Sequence, residues 1–318
     1  MNLLAEVSDV PRRGAISLVL GSGGARGYAH VGVIEELCAQ GYAIHSVAGS
    51  SMGALVGGVY AAGKLAEYRQ WACALKTFDV LRLVDWSWRG GGLIKGERVI
   101  GALRDLVGET NIEDLPISYT AVAVDIDAQR EVWFSRGSLF DAIRASISIP
   151  TVFRPHHYQG RRLVDGGLLN PVPVTPTLRD LTDATIAVDV NAEAEGVAER
   201  ETPITRPEIH ESDAAVDPTG LGRIGVLWER FLENRSRRVK VQEPGVLDLF
   251  ARSLDVVQET LTRYKLAAQP PDLVIPIPRN VCAFYEFQRA AEIIEIGRQR
   301  TREALARWQR VKRAQARG

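Results

Sequence analysis

Apolar positions in the first half of the chain follow two alternating rhythms. Ala15 to Leu20 is a short unbroken apolar run that ends in glycines, the pattern of a strand buried on both faces. Tyr28 to Gln40 switches to helical spacing. His30, Val33, Ile34, Leu37 and Cys38 share one face, Glu35 and Glu36 lie on the other, and Gly41 is a natural stop. Ile44 to Ala48 predicts a second strand, and Met52 to Ala62 a second helix of small apolar residues. Strand, helix, strand, helix at this tempo implies right-handed crossovers and a mostly parallel sheet between helices, an α/β fold.

The theme continues. Leu65 to Phe78 and Glu97 to Val107 predict helices, the second opened by the turn-rich Trp88 to Gly92. Tyr119 to Val124 and Glu131 to Phe134 read as strands joined by a polar turn. Leu139 to Ser146 reads as a helix that Pro150 brings to an end, and Thr185 to Val190 as a strand. From Asn191 to Gly222 no period is visible and Ala, Glu, Pro, Thr and Asp dominate. Beyond it, helices are expected at Ile224 to Lys240 and Gly245 to Ala268, an edge strand at Asp272 to Pro276, and a long helical tail at Ala283 to Ala316. The expected organisation is an N-terminal extension (1–14), a core (15–190), a flexible linker or insertion (191–222), and a helical C-terminal region (223–318) that completes or caps the core.

Composition narrows the class. Lys+Arg and Asp+Glu both number 39 in 318 residues, so there is no basic excess to hold nucleic acid. Cys38, Cys73 and Cys282 lie far apart with no CxxC spacing, against a zinc module or disulfide framework and in keeping with a reducing compartment. The first residues lack the apolar stretch of a signal peptide. Leu37 to Gly63 contains no charged residue, but its glycines, serines, Gln40 and His45 break it into strand, turn and helix rather than a membrane span. A cytoplasmic location is expected, with peripheral contact at the inner face of the membrane. The eight basic residues and single acid of Arg298 to Gly318 fit that contact, and equally a solvated helix.

Three segments carry candidate chemistry. Gly49-Ser50-Ser51-Met52-Gly53 fits G-x-S-x-G directly after a strand and directly before a helix, the context in which a serine is pushed clear of both elements. Gly21-Ser22-Gly23-Gly24-Ala25-Arg26-Gly27 joins the first strand to the first helix, and consecutive glycines expose backbone N–H groups able to surround an oxyanion. If the two strands are parallel neighbours, both turns share one sheet edge. Asp165-Gly166-Gly167 places a carboxylate in a glycine turn, which by itself is equally a solvated turn.

Rival readings fare worse. Ser51, Asp165 and His210 satisfy the order of a Ser-acid-His triad, but His210 falls in the patternless stretch. A dinucleotide site lacks both the third glycine, where Arg26 stands, and an acid ending the second strand. No P-loop motif occurs. Asp125, Asp127 and Glu131 read as a solvated hairpin turn, so no metal is expected. His30 reads as a core histidine, and His156 and His157 as surface residues. Arg26 reads as an anion contact or as a residue that pairs at its helix start.

Together the three segments resemble the patatin-like phospholipase family: Gly23-Gly24-Ala25-Arg26-Gly27 matches its G-G-x-R/K-G loop, the Ser51 segment its G-x-S-x-G elbow, and Asp165-Gly166-Gly167 its D-G-G/A motif. Ala145 to Pro150 followed by Phe153-Arg-Pro155 is similar to a fourth segment. Trp86 to Arg98 is similar to small bacterial members related to the catalytic domain of neuropathy target esterase. The resemblance implies a three-layer fold and hydrolysis of a lipid carboxylic ester, phospholipid or lysophospholipid, without cofactor. It implies a Ser51–Asp165 dyad and an oxyanion hole from the loop of Gly23, Gly24, Ala25 and Arg26 with the Met52 amide. Gly27, Gly49, Gly53, Gly166 and Gly167 would support these turns. A non-catalytic regulatory or interaction protein on the same fold and a lipid acyltransferase are the alternatives. The natural lipid and the oligomeric state stay open.

Overall fold

A computed structural model describes residues 13–75, 97–195 and 246–315. The expected N-terminal extension up to Arg12, the Trp86–Trp88 stretch, most of the 191–222 segment, the helix at 224–240 and His210 lie outside the described residues. The chain divides into two compact units, residues 1–195 with 251–318, and residues 196–250. Of the second unit, the described residues are 246–250, the first turn of a helix.

The first unit is a mixed sheet, mostly parallel, between helices. Strand β1 (Ala15–Leu20) leads through a glycine turn to helix α1 (Ala29–Ala39), then β2 (Ala43–Ser50), α2 (Met52–Ala61) and α3 (Leu65–Ala74). After α4 (Glu97–Val107) come β3 (Ser118–Asp125), β4 (Arg130–Phe134), α5 (Leu139–Ser146), the hairpin β5 (His156–Tyr158) and β6 (Arg161–Asp165), and β7 (Ala184–Ala192). The described chain closes with α6 (Val246–Ala268), β8 (Leu273–Pro278) and α7 (Ala290–Gln315). The order across the sheet is β5-β6-β3-β2-β1-β7-β8, with β4 also paired to β3. The β3–β2–β1–β7–β8 run is parallel, whereas β4 and β6 pair antiparallel with β3.

The alternation of strand side chains sorts the layers. Ile16, Leu18 and Leu20 of β1 face one large core with α1, α2 and α7, while Val19 faces the other side, with Ala187, Val172 and Val174, and Leu266 of α6 packs there. Helices therefore cover both faces, which is what a parallel sheet with continuous apolar strands requires.

Two elements differ from the sequence reading. The hairpin β5–β6 carries mixed polar residues with no visible alternation, and it has no counterpart among the elements expected from the sequence. The long tail helix starts at Ala290 rather than Ala283, after a short 3-10 turn at Phe287–Arg289. Ala290, Ile293, Ile294, Gly297, Thr301, Ala304 and Leu305 of this helix are buried. Several of its cations are paired internally: Arg298 with Glu35, Arg300 with Glu195, and Arg302 with Glu36.

Candidate active site

The bend at Ser51 is built by close approach. Ser51 sits between β2 and α2 with φ 55° and ψ −123°, a conformation costly for a side chain with a Cβ. The glycines two residues either side are dictated by space. A Cβ on Gly49 would overlap the Gly53 backbone, and one on Gly53 would overlap the Leu20 carbonyl. The Ser51 N–H donates to Ser146 Oγ at 2.9 Å, and that hydroxyl donates to the Val122 carbonyl at 2.6 Å. A side chain at the end of α5 thus pins the bend to β3. Ser51 is also the N-cap of α2, next to the free amides and positive end of that helix.

Sheet register delivers the second group. Residues Ala121 and Val122 of β3 pair with both β2 and β4, while Ala123, Val124 and Asp125 pair with both β6 and β4. Strand β6 therefore takes over the edge of β3 that β2 vacates, running the opposite way. Ser51 Oγ donates to Asp165 Oδ2 at 2.5 Å, and both residues are buried, at 2% and 3% exposure. Asp165 Oδ1 accepts the Gly167 amide at 2.7 Å, which fixes the plane of the carboxyl. Burial pushes the Asp165 carboxyl up to about 7, against the opposing pull of the Ser51 and Gly167 hydrogen bonds. Above that pH a carboxylate lies against the serine hydroxyl, with the geometry to take its proton.

The glycine loop lies at the same strand edge, since β1 and β2 are parallel neighbours. Three consecutive carbonyls are tied down there. Gly21 O receives His30 Nε2 at 2.8 Å, Ser22 O receives Asn191 Nδ2 at 2.7 Å, and Gly23 O receives Arg26 Nε at 3.2 Å. In a trans peptide the N–H points opposite the C=O, so the amides of Gly23 and Gly24 turn away from these anchors. Among the described residues neither amide has a hydrogen-bond acceptor. Gly24 has φ +55°, and a Cβ there would press into Phe284. A Cβ on Gly27 would overlap Met52, which sets the loop directly against the start of α2.

Two expectations change. The Ala25 amide donates to the Phe284 carbonyl at 2.9 Å, which removes it from the free donors of the loop. The Arg26 side chain is not an open anion contact. It is buried and bound to Asp255 at 2.6 Å, with a further bond to the Arg279 carbonyl at 3.3 Å. Gly166 and Gly167 stand where a side chain would overlap the Val122 carbonyl and Ser22 Oγ, respectively.

The other singled-out residues make no contact with Ser51 or Asp165 among the hydrogen bonds of the described residues. His30 is a core histidine. A carbonyl only accepts, so its Nε2 carries the proton, and burial lowers its pKa to about 4 and keeps it neutral. Asp125 Oδ1 accepts the amides of Asp127 and Ala128 and closes the hairpin turn. His156 faces Asp141 at 3.2 Å. Among the described residues no group of three His, Cys, Asp or Glu is placed to hold a metal, and no helix is long and apolar enough to cross a membrane. Sequence reasoning missed Ser146, Asn191, Asp255 and Gln258. Ser146 lay inside the recognised Ala145–Pro150 segment, but nothing local signalled its partner. The other three had no motif at all.

A strand–serine–helix bend facing a buried aspartate, beside an anchored glycine loop, on a mostly parallel sheet, defines a candidate serine-hydrolase site. Residues 18–178 match the sequence profile of patatin-like phospholipases. An uncharacterized NTE family protein of Mycobacterium bovis is 41% identical over 94% of this chain and 92% of its own. The lysophospholipase NTE1 of Saccharomyces cerevisiae is 32% identical over 60% of this chain and 11% of its own. Among solved structures, VipD of Legionella pneumophila aligns with a TM-score of 0.42 at 14% identity, over 93% of this chain and 67% of its own. The chain belongs to the patatin-like phospholipase family. Membership supports lipid-ester hydrolysis at the level of the family.

Proposed function

We propose that the protein hydrolyses the acyl ester of a phospholipid or lysophospholipid through an acyl-enzyme on Ser51. The observation that carries this reading is the 2.5 Å hydrogen bond from Ser51 Oγ to a fully buried Asp165 whose pKa stands near 7. An ordinary aspartate is too weak a base for a serine hydroxyl. Burial strengthens this one and brings it close to neutral pH, where general bases work best.

In the first half-reaction Ser51 Oγ forms a bond to the ester carbonyl carbon as its proton passes to Asp165 Oδ2. The carbonyl oxygen becomes an oxyanion, received by the Gly23, Gly24 and Met52 amides. Each such donor is typically worth roughly 3 kcal/mol of barrier. The C–O bond to the alcohol then breaks, and that oxygen takes the proton from Asp165. In the second half-reaction Asp165 accepts a proton from water as the water oxygen attacks the acyl-serine. The tetrahedral adduct collapses to free fatty acid, and the proton returns to Ser51 Oγ.

The test is fluorophosphonate labelling with peptide mapping, followed by product analysis on phosphatidylcholine and lysophosphatidylcholine. One adduct on Ser51, absent in Ser51→Ala, with release of free fatty acid, is the expected result. Folded protein that takes no label in the presence of micelles would favour a regulatory or interaction role. Acyl transfer to added glycerol in place of fatty acid release would assign an acyltransferase.

A further inference from the structure

Helix α6 enters the loop architecture from the far end of the sequence. Asp255 and Gln258 are three residues apart and so share one helix face. Asp255 holds the Arg26 guanidinium, at 2.6 Å to one nitrogen and 3.4 Å to the other. Arg26 in turn holds the Gly23 carbonyl. Gln258 Oε1 accepts from Asn191 Nδ2 at 3.3 Å, and the same Asn191 nitrogen holds the Ser22 carbonyl. Gln258 and Arg26 are almost wholly buried, at 1% and 2% exposure. A Cβ on Gly167 would come within 2.5 Å of Gln258 Nε2, so this face of α6 also rests on the turn that carries Asp165.

We infer that Asp255 and Gln258 are positioning residues that set the orientation of the Gly23 and Gly24 amides through two relays, Asp255–Arg26–Gly23 and Gln258–Asn191–Ser22. The inference rests on the hydrolase reading above, in which those amides receive the oxyanion. Each relay fixes a carbonyl on the far side of its peptide plane, and the amide across that plane is thereby aimed. The donors are useful only when held in place before charge develops, because reorientation during the reaction cancels their advantage. Without Asp255 the buried Arg26 charge loses its acid partner, and the Gly23 peptide loses its anchor. Neither residue touches the dyad, so the proton chemistry of Ser51 and Asp165 should survive their loss.

The experiment uses the full chain and a soluble p-nitrophenyl butyrate probe, after the Ser51 adduct has been shown on the wild type. Asp255→Asn and Gln258→Ala should lower kcat roughly 10- to 100-fold, less than the roughly 100- to 1,000-fold of an oxyanion donor removed outright, with KM changed less than about threefold. The midpoint of the pH profile should stay near its wild-type value, and Asp255→Glu should recover part of kcat. Because Asp255→Asn leaves a buried cation without its acid, the paired variant Arg26→Met with Asp255→Leu removes both charges together. That variant should regain thermal stability yet stay slow. Unchanged kcat in folded Asp255→Asn would overturn the inference. So would a paired variant in which kcat recovers along with stability, since that assigns the network to folding alone. Absence of label on wild-type Ser51 sinks the hydrolase reading itself and is seen before any α6 variant is measured.

Discussion

Ser50 and Asp165 occupy successive stations on one edge of β3: Ser50 pairs with Val122, and Asp165 with Ala123. Strand β2 arrives from one direction and β6 from the other, so their ends meet head to head. The residue after Ser50 is then forced into a bend against the last residue of β6. Proximity of Ser51 and Asp165 follows from backbone pairing, although 114 positions separate them. Held by a sheet rather than by loops, the pair would lose little entropy in the proposed reaction.

Activity should depend on the ionised form of Asp165. We expect kcat/KM to rise with pH through a midpoint near 7 and level off above it, because the base is useless while protonated. Initial rates on a soluble ester from pH 5 to 9 test this. A midpoint near 4 would show that burial does not tune the carboxyl.

Asp165 should cost stability for the same reason. Its folded-state pKa of about 7 lies above an unfolded value of about 4, so the folded protein holds a proton that the unfolded chain has released. The stability contribution is fully present below pH 4 and is lost as pH rises through 7, by roughly 4 kcal/mol at most. Asp165→Asn carries no charge to desolvate. Its melting temperature should exceed the wild type's at pH 8, and the gain should shrink toward pH 5, while turnover is abolished.

Ser146→Ala should damage the bend without touching the dyad. It strips the Ser51 amide of its acceptor and the Val122 carbonyl of its donor. Each buried group left unpaired costs about 1–3 kcal/mol. The strained φ of Ser51 then lacks one of its restraints. We expect a lower melting temperature and a kcat reduced on the order of 10-fold, with the pH midpoint kept. Unaltered kcat would mean that the sheet and α2 hold the bend unaided.

The crossing of α1 and α7 leaves no room for a methyl group. A Cβ on Gly32 would overlap the Ile294 carbonyl, and one on Gly297 the Ala29 carbonyl. Gly32→Ala should destabilise by at least about 1–3 kcal/mol. Gly101→Ala is the contrast. Gly101 lies within α4, and among the described residues nothing comes inside 4 Å of the added carbon, so it should gain about 0.5–1 kcal/mol from helix propensity. Thermal melts of the two variants decide it, and a loss for both would point away from the crossing.

By itself the sequence determined much of this protein. Periodicity alone marked β1, α1, β2 and α2, because a two-face-buried strand and an amphipathic helix write different spacings into the chain. It marked Ser51 and the glycine loop, because such turns demand small residues at fixed short offsets. Asp165 became legible only through the family resemblance, since a lone Asp-Gly-Gly reads equally as surface turn. What the tertiary structure decided was everything that depends on pairing between distant segments. The β5–β6 hairpin is polar and short, so its register against β3 exists only once β2 has ended. The Ala25 amide looks free in sequence and is taken by Phe284. Ser146, Asn191, Asp255 and Gln258 have no local signature, because a hydrogen bond between distant segments, to backbone or to side chain, asks only for a donor or acceptor at the right point in space. Short-range sterics are written in consecutive residues, whereas the aim of an amide is set by whichever side chain the fold brings behind its carbonyl.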